Sequence, residues 1–155
     1  MRFLLLVALI IPLEFVAGCG GPSTVPVTAD NRAEIALSDV GELYRQYTFS
    51  NNKPPMKISD FASMESMAPL GLKALRDGDV IARSGVVIKD VNEGPATTDS
   101  ADEVIAYAKD APTAGGDVLM HNRTVRKMTA DEFKAAKLAG DGDMPAGTPA
   151  KGKKS

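Results

Sequence analysis

The sequence predicts a small α+β domain: an N-terminal amphipathic helix packed on an antiparallel sheet of three or four strands and closed by a short C-terminal helix. Three observations predict it. Ala33, Leu37, Val40, Tyr44 and Tyr47 recur at alternating spacings of four and three, which puts them on one face of a helix. Short β-branched runs bounded by turn residues follow, the last two flanking His121-Asn122-Arg123 as a hairpin would. Thr129 and Glu132 then stand three apart, the spacing of a capping box, so a helix starts there.

Before the domain comes a different kind of sequence. Met1-Arg2 is a short positive start, and Phe3 to Ile11 is an apolar run of the length an export signal needs. A spanning helix takes about 20 consecutive apolar residues. Here Pro12 and Glu14 interrupt, and the segment ends at Gly18. Val16-Ala17-Gly18-Cys19 reads as a lipobox, in which the cysteine sulfur takes a diacylglyceryl group, residues 1–18 are removed as a signal peptide, and the new N-terminus is acylated. Cys19 is the single cysteine, so no intrachain disulfide is possible and the exported domain must stand on packing alone. Burial contributes about 0.8 kcal/mol per CH₂, so two or three acyl chains anchor stably where one does not. Gly20 follows the cysteine where aspartate would signal retention in the inner membrane under the enterobacterial rule, which points to the outer membrane.

Residues 19–29, rich in Gly, Pro and hydroxyl side chains, read as a flexible tether. Residues 30–140 hold the domain and residues 141–155 a Gly/Pro/Lys tail without core residues, expected to be disordered. The formal charge is −2 with signs interspersed, an argument against nucleic acid as a partner and against electrostatic attachment to a membrane. Attachment would be through lipid on Cys19, and the remaining partner an unspecified envelope protein.

Within the domain, Asp30 is placed to cap the first helix, and Asn51-Asn52-Lys53-Pro54-Pro55 to end it. Ser59 reads as the cap of a short helix interrupted by Pro69 and Gly71, with Leu70, Leu72 and Leu75 forming a strap across the core. Asp77-Gly78-Asp79 is a turn. Val80–Arg83 and Val86–Ile88 form a strand bent at Ser84-Gly85. Asn92 to Asp102 is a polar connection, Glu103–Tyr107 the next strand, and Pro112–Gly116 a turn. Asp117–Met120 and Thr124–Met128 are the hairpin strands, with Asn122 the tip residue that tolerates left-handed backbone. Met128 and Phe133 have the spacing of a hydrophobic staple around the final helix, which is expected to run to Gly140.

Two passages, Ala74-Leu75-Arg76-Asp77-Gly78-Asp79-Val80 and Ala114-Gly115-Gly116-Asp117-Val118-Leu119-Met120 through Thr124–Phe133, resemble the short, uncharacterised lipoproteins of Planctomycetes. Their C-terminal hairpin and helix are similar to the end of a pseudopilin-like domain. In that family the tip is typically Asp-Gly, where this chain has His121-Asn122. The resemblance implies a fold and no established activity. A true pseudopilin keeps the apolar helix with which it assembles, whereas the processing expected at Cys19 discards it.

Candidates for chemistry are few. His121 is the sole histidine, which excludes a mechanism with two imidazoles, and a hairpin tip makes it a solvated turn residue without a chemical role. Ser50-Asn51-Asn52-Lys53 has the Ser-x-x-Lys spacing without its partner motifs. Asp77 and Asp79 could share Ca²⁺ with Asp90 or Asp117, but calcium wants six to eight oxygens and the EF-hand pattern is missing. Asn122-Arg123-Thr124 is a formal glycosylation sequon. The sequence therefore implies no catalytic residue, no metal site and no cofactor. The expectation is a lipid-anchored envelope protein with a non-enzymatic structural or interaction domain. The alternative is a binding module or accessory of a secretion or pseudopilus-like system, with a Ca²⁺-dependent form of it open.

Overall fold

The structure, a computed structural model, describes residues 26–88 and 102–146. The signal peptide, Cys19, most of the tether, the connection up to residue 101 and residues 147–155 lie outside the described residues. The fold is α+β, with six strands among the described residues rather than three or four.

The first helix, α1 (Arg32–Asn51), buries Ala36, Leu37, Val40, Leu43, Tyr44 and Tyr47, the stripe its periodicity predicts. Asp30 does not cap it. Asn31 holds the cap position and points its side chain backward, Oδ1 accepting from Thr28 N at 2.7 Å and Nδ2 donating to Pro26 O at 2.9 Å. At the other end Asn52 adopts left-handed geometry and returns its N–H to Thr48 O, which satisfies an otherwise orphaned carbonyl.

After Pro54-Pro55 comes a 3-10 helix, Ile58–Met64. Asp60, not Ser59, closes its start by accepting from the amides of Met56 and Lys57. Phe61 is thereby set edge-on against Tyr44 and Tyr47, with centroids 5.4 and 5.9 Å away. The expected strap is instead a second helix, α2 (Pro69–Asp77). Pro69 starts it rather than breaking it, because proline's fixed φ suits the first turn, where its missing N–H is no loss. Gly71 lets α2 approach α1 closely: a Cβ there would lie 2.6 Å from Asp39 Cβ and 2.9 Å from Val40 N. Across that contact the Gly71 amide donates to Asp39 Oδ2 at 3.0 Å.

The sheet follows, β1 (Val80–Ser84), β2 (Glu103–Ala108), β3 (Gly116–Met120) and β4 (Val125–Met128), each paired antiparallel with the next. Val86 and Ile88 are buried beyond the bend at Gly85 without forming strand. The turn expected at Pro112–Gly116 contains one helical turn, α3 (Ala111–Ala114). A bulge at Ile105 sends it and Ala106 to the same face, so β2 is apolar almost throughout. Both faces are covered. α1, α2 and the 3-10 helix pack on the larger core, while α3 and α4 (Ala130–Ala135) close a second cluster around Val104, Tyr107, Val118, Met120, Met128 and Phe133.

The Thr129–Glu132 capping box is present in both directions, and Met128 and Phe133 are buried together. At the hairpin tip the left-handed residue is Arg123 (φ +68°), not Asn122. A three-residue loop places that geometry third, and Arg123 is held there because Nη1 donates to Glu42 Oε1 at 2.6 Å from a nearly sealed position.

The chain's end departs furthest from expectation. α4 stops at Ala135, not Gly140, and residues 141–146 belong to the domain. β1 and β2 diverge beyond Ala82 and Ala106, and the C-terminal stretch enters the fork. β5 (Lys137–Leu138) runs parallel to β2, and β6 (Gly142–Asp143) antiparallel to β1, giving the order β4-β3-β2-β1-β6. Met144 is 2 % exposed. Tyr44 sits at the crotch, its hydroxyl donating to Arg83 O and lying 3.4 Å from Ile105 O. It thus addresses carbonyls that the divergence withdraws from direct β1–β2 pairing.

Candidate functional site

Cys19, the one residue with an expected chemical role, lies outside the described residues, so the site is approached from where the tether meets the domain. Asn31 fixes that entry. By bonding to both Thr28 and Pro26 it ties the incoming chain onto the first turn of α1.

Immediately beside this entry is a cleft of about 240 Å³ between the start of α1, the end of α2, the start of β1 and the end of β2. Its floor is Ala33, Ala36, Ala74, Ala108 and Val80. A smaller hollow lined by Arg32, Leu70, Lys73 and Asp77 continues it, the two sharing Arg32, Ala36, Ala74 and Asp79. The cleft exists because small side chains face one another where larger ones would close the gap.

The rim is charged, and most of it is self-neutralised. Lys73 pairs with Asp77 one turn along α2, and Lys109 Nζ lies 2.8 Å from Asp79 Oδ1. The Asp79 carboxylate, with its charge and hydrogen bond, holds Lys109 above the usual lysine range. Arg32 and Asp110 also line the cleft and form no ion pair within 4 Å among the described residues. The arrangement is an apolar trough with Arg32 and Asp110 at its mouth outside any ion pair among the described residues, the Asp110 charge adding to that of Asp79 on Lys109. It can bind and orient, with a guanidinium offering forked donors and a carboxylate accepting them.

The other sequence candidates are dispersed. Asp77 and Asp79 are held by lysines and Asp117 sits on β3; Asp90 is outside the described residues. Among the described residues no group of three or more His, Cys, Asp or Glu is placed to hold a metal ion. His121 is not the solvated turn residue expected. Its Nε2 lies 2.8 Å from Val87 O, which can only accept, so Nε2 carries the proton of that bond, and Nδ1 is 3.5 Å from Glu103 Oε2. Ser50 takes a hydrogen bond from Gln46 Nε2 at the exposed end of α1. Asn122 Oδ1 accepts from both the amide and hydroxyl of Thr124, a turn built from the sequon's own residues.

Sequence reasoning missed Arg32, Asp110 and the alanine floor. A signal was there: Ala33 and Ala36 are the smallest members of the helix stripe, and small residues in an apolar stripe leave room. Ala74, Ala108 and Asp110 reach the same place only through tertiary structure. No protein-family model matches this chain, and no curated protein or solved structure matches it either.

Proposed function

We propose that this is a lipid-anchored protein of the bacterial cell envelope, tethered through Cys19, whose small domain serves a non-enzymatic structural or interaction role toward another envelope protein. The observation that carries the proposal is the run Val16-Ala17-Gly18-Cys19 at the end of an apolar segment too interrupted to span. Supporting it, three of the side chains read from the sequence as candidates for chemistry have partners within the domain: Asp77 with Lys73, Asp79 with Lys109, His121 with the Val87 carbonyl. The outer membrane is the favoured location, from Gly20. Metabolic labelling with a fatty acid and membrane fractionation test the anchor. Label on wild type that is lost in Cys19→Ala, with release of the variant from membranes, supports it; unchanged fractionation and no label on wild type overturn it.

A second reading makes the domain an accessory of a secretion or pseudopilus-like system, with Ca²⁺ dependence as one form of it. The helix-on-sheet arrangement of α1 with β1–β4, and the hairpin running into α4, favour it. In-cell crosslinking that recovers secretion components distinguishes it from the first, and calorimetric titration with Ca²⁺ tests the cation.

A further inference from the structure

We infer that the cleft end of the domain docks on phospholipid headgroups, Arg32 meeting the phosphate and Asp110 the ammonium of a zwitterionic lipid of the phosphatidylethanolamine type. This rests on the lipid-anchored reading above and adds to it an orientation and a surface.

The cleft lies at the end of the domain nearest the anchor. Cys19 precedes Pro26 by seven residues, and a chain covers at most about 3.5 Å per residue, or roughly 25 Å here. Asn31 clamps Pro26 and Thr28 to the first turn of α1, so the lipid-bearing end stays within that reach of Pro26, on the side of the domain where the cleft opens. The far end of α1, a helix of 20 residues, lies about 30 Å beyond at 1.5 Å per residue. The anchor therefore keeps one end of the domain near the bilayer, and that end carries the cleft. Val27, an exposed apolar side chain, sits in the same entry segment.

Charge points the same way, independently of position. Lys73 and Lys109 are neutralised by Asp77 and Asp79, which leaves Arg32 and Asp110 as the rim charges without an ion pair among the described residues. A bilayer of zwitterionic lipid presents a phosphate and an ammonium a few bonds apart. The guanidinium fork matches phosphate oxygens, and the carboxylate accepts from the ammonium. A rim of net positive charge would instead select anionic lipid alone, and this rim is mixed.

The test uses the full, lipid-bearing chain in nanodiscs of phosphatidylethanolamine with a minor share of phosphatidylglycerol. A thiol-reactive fluorophore is placed at Glu34→Cys or Ser50→Cys, exposed positions at opposite ends of α1, and quenched by a nitroxide on lipid headgroups. The expected result is severalfold stronger quenching at position 34 than at 50, a contrast that Arg32→Lys keeps in part and Arg32→Glu cuts back to the smaller difference the tether alone imposes. Equal quenching at the two positions, or a contrast unchanged by Arg32→Glu, overturns the docking; the unchanged contrast is what a tethered domain whose cleft is reserved for a peptide partner would give. Intact mass of the same samples reports the acyl groups separately. Acylated protein with equal quenching removes only the docking, whereas unacylated protein removes the anchoring reading and this inference with it.

Discussion

Tyr107 Oη donates to Asp143 Oδ2 at 2.9 Å while Arg83 Nη1 reaches Oδ1 of the same carboxylate at 2.8 Å. One side chain from the last described strand is thus gripped by β2 and β1 together, at the fork where those strands part. Hydrogen bonds to charged groups are each worth about 1.5–3 kcal/mol when sheltered, and Asp143 is 47 % exposed, so the lower end applies. Asp143→Ala should cost about 1–2 kcal/mol in denaturant unfolding, and Tyr107→Phe about 1 kcal/mol. A melting curve unaffected by either change would show that the C-terminal stretch is held by Met144 and its backbone alone.

The same pair sets an alkaline limit. Burial, then the hydrogen bond to Asp143, raises the Tyr107 phenol to about 12, and deeper burial raises that of Tyr44 further. For a group whose folded pKa exceeds its unfolded value, the native state holds the proton longer, so stability is whole below about pH 10 and declines as pH climbs toward 12. Unfolding free energy measured across that window should fall with pH, and Tyr44→Phe should flatten the fall. An equal slope in the variant would mean that other groups govern it.

Gly140 is the hinge by which the chain turns into the fork. Its φ is +70°, and a Cβ would collide with Ser84 O and with Val86. Left-handed geometry costs a non-glycine residue about 1–2 kcal/mol before any clash, so Gly140→Ala should destabilise by about 2 kcal/mol or more. Gly142→Ala, with no atom within 4 Å of its added carbon, should change stability little. Comparable losses in the two variants would contradict this account of the turn.

These residues also mark where sequence reading stops. The α1 stripe, the hairpin and the Thr129–Glu132 cap are visible because each is specified by residues a few positions apart. The fork is not: Lys137–Met144 has neither period, one of its apolar residues, Leu138, is exposed, and its strands are two residues long. Its structure comes from the divergence of β1 and β2, which no local pattern encodes. Pro69 misleads for a different reason, since proline both ends and begins helices and only the packing of Gly71 on Asp39 decides between them. The cleft follows the same rule, half of it readable on α1 and half assembled from α2 and β2.

Asp39 links α1 to α2 at an electrostatic cost. Burial raises its pKa, opposed by hydrogen bonds from the amides of Gly71 and Leu70 and reinforced by the charge of Glu42. A carboxyl whose folded pKa is raised gives stability that is present below the unfolded value of 3.8 and lost as pH rises through the folded one. Asp39→Asn keeps an acceptor for the Gly71 amide without the charge. It should be more stable than wild type at neutral pH, with the gap closing in acid. A gap that widens as pH falls would mean the ionised form is what the site favours.

The Thr129–Glu132 box sits between the hairpin and the lid over the smaller core, so its loss should be felt in both. Thr129 Oγ1 accepts from Glu132 N at 3.2 Å, and the Glu132 carboxylate accepts from Thr129 N at 2.7 Å. Thr129→Ala should cost about 1 kcal/mol, the usual loss for a removed cap. The backbone bond from Thr129, then its side chain, holds Glu132 below its ordinary range, so its contribution is present above the unfolded pKa of 4.5 and is lost as pH falls through the folded value. Glu132→Gln, which can still accept from the Thr129 amide, should remove that acid dependence while retaining most of the cap. Hydrogen exchange of the Phe133 amide, bonded to Thr129 O at 2.9 Å, reads the local effect directly. Faster exchange there in Thr129→Ala, with the α1 amides unchanged, is the expected pattern. Uniform acceleration would instead mean that α4 and the main core open as one unit.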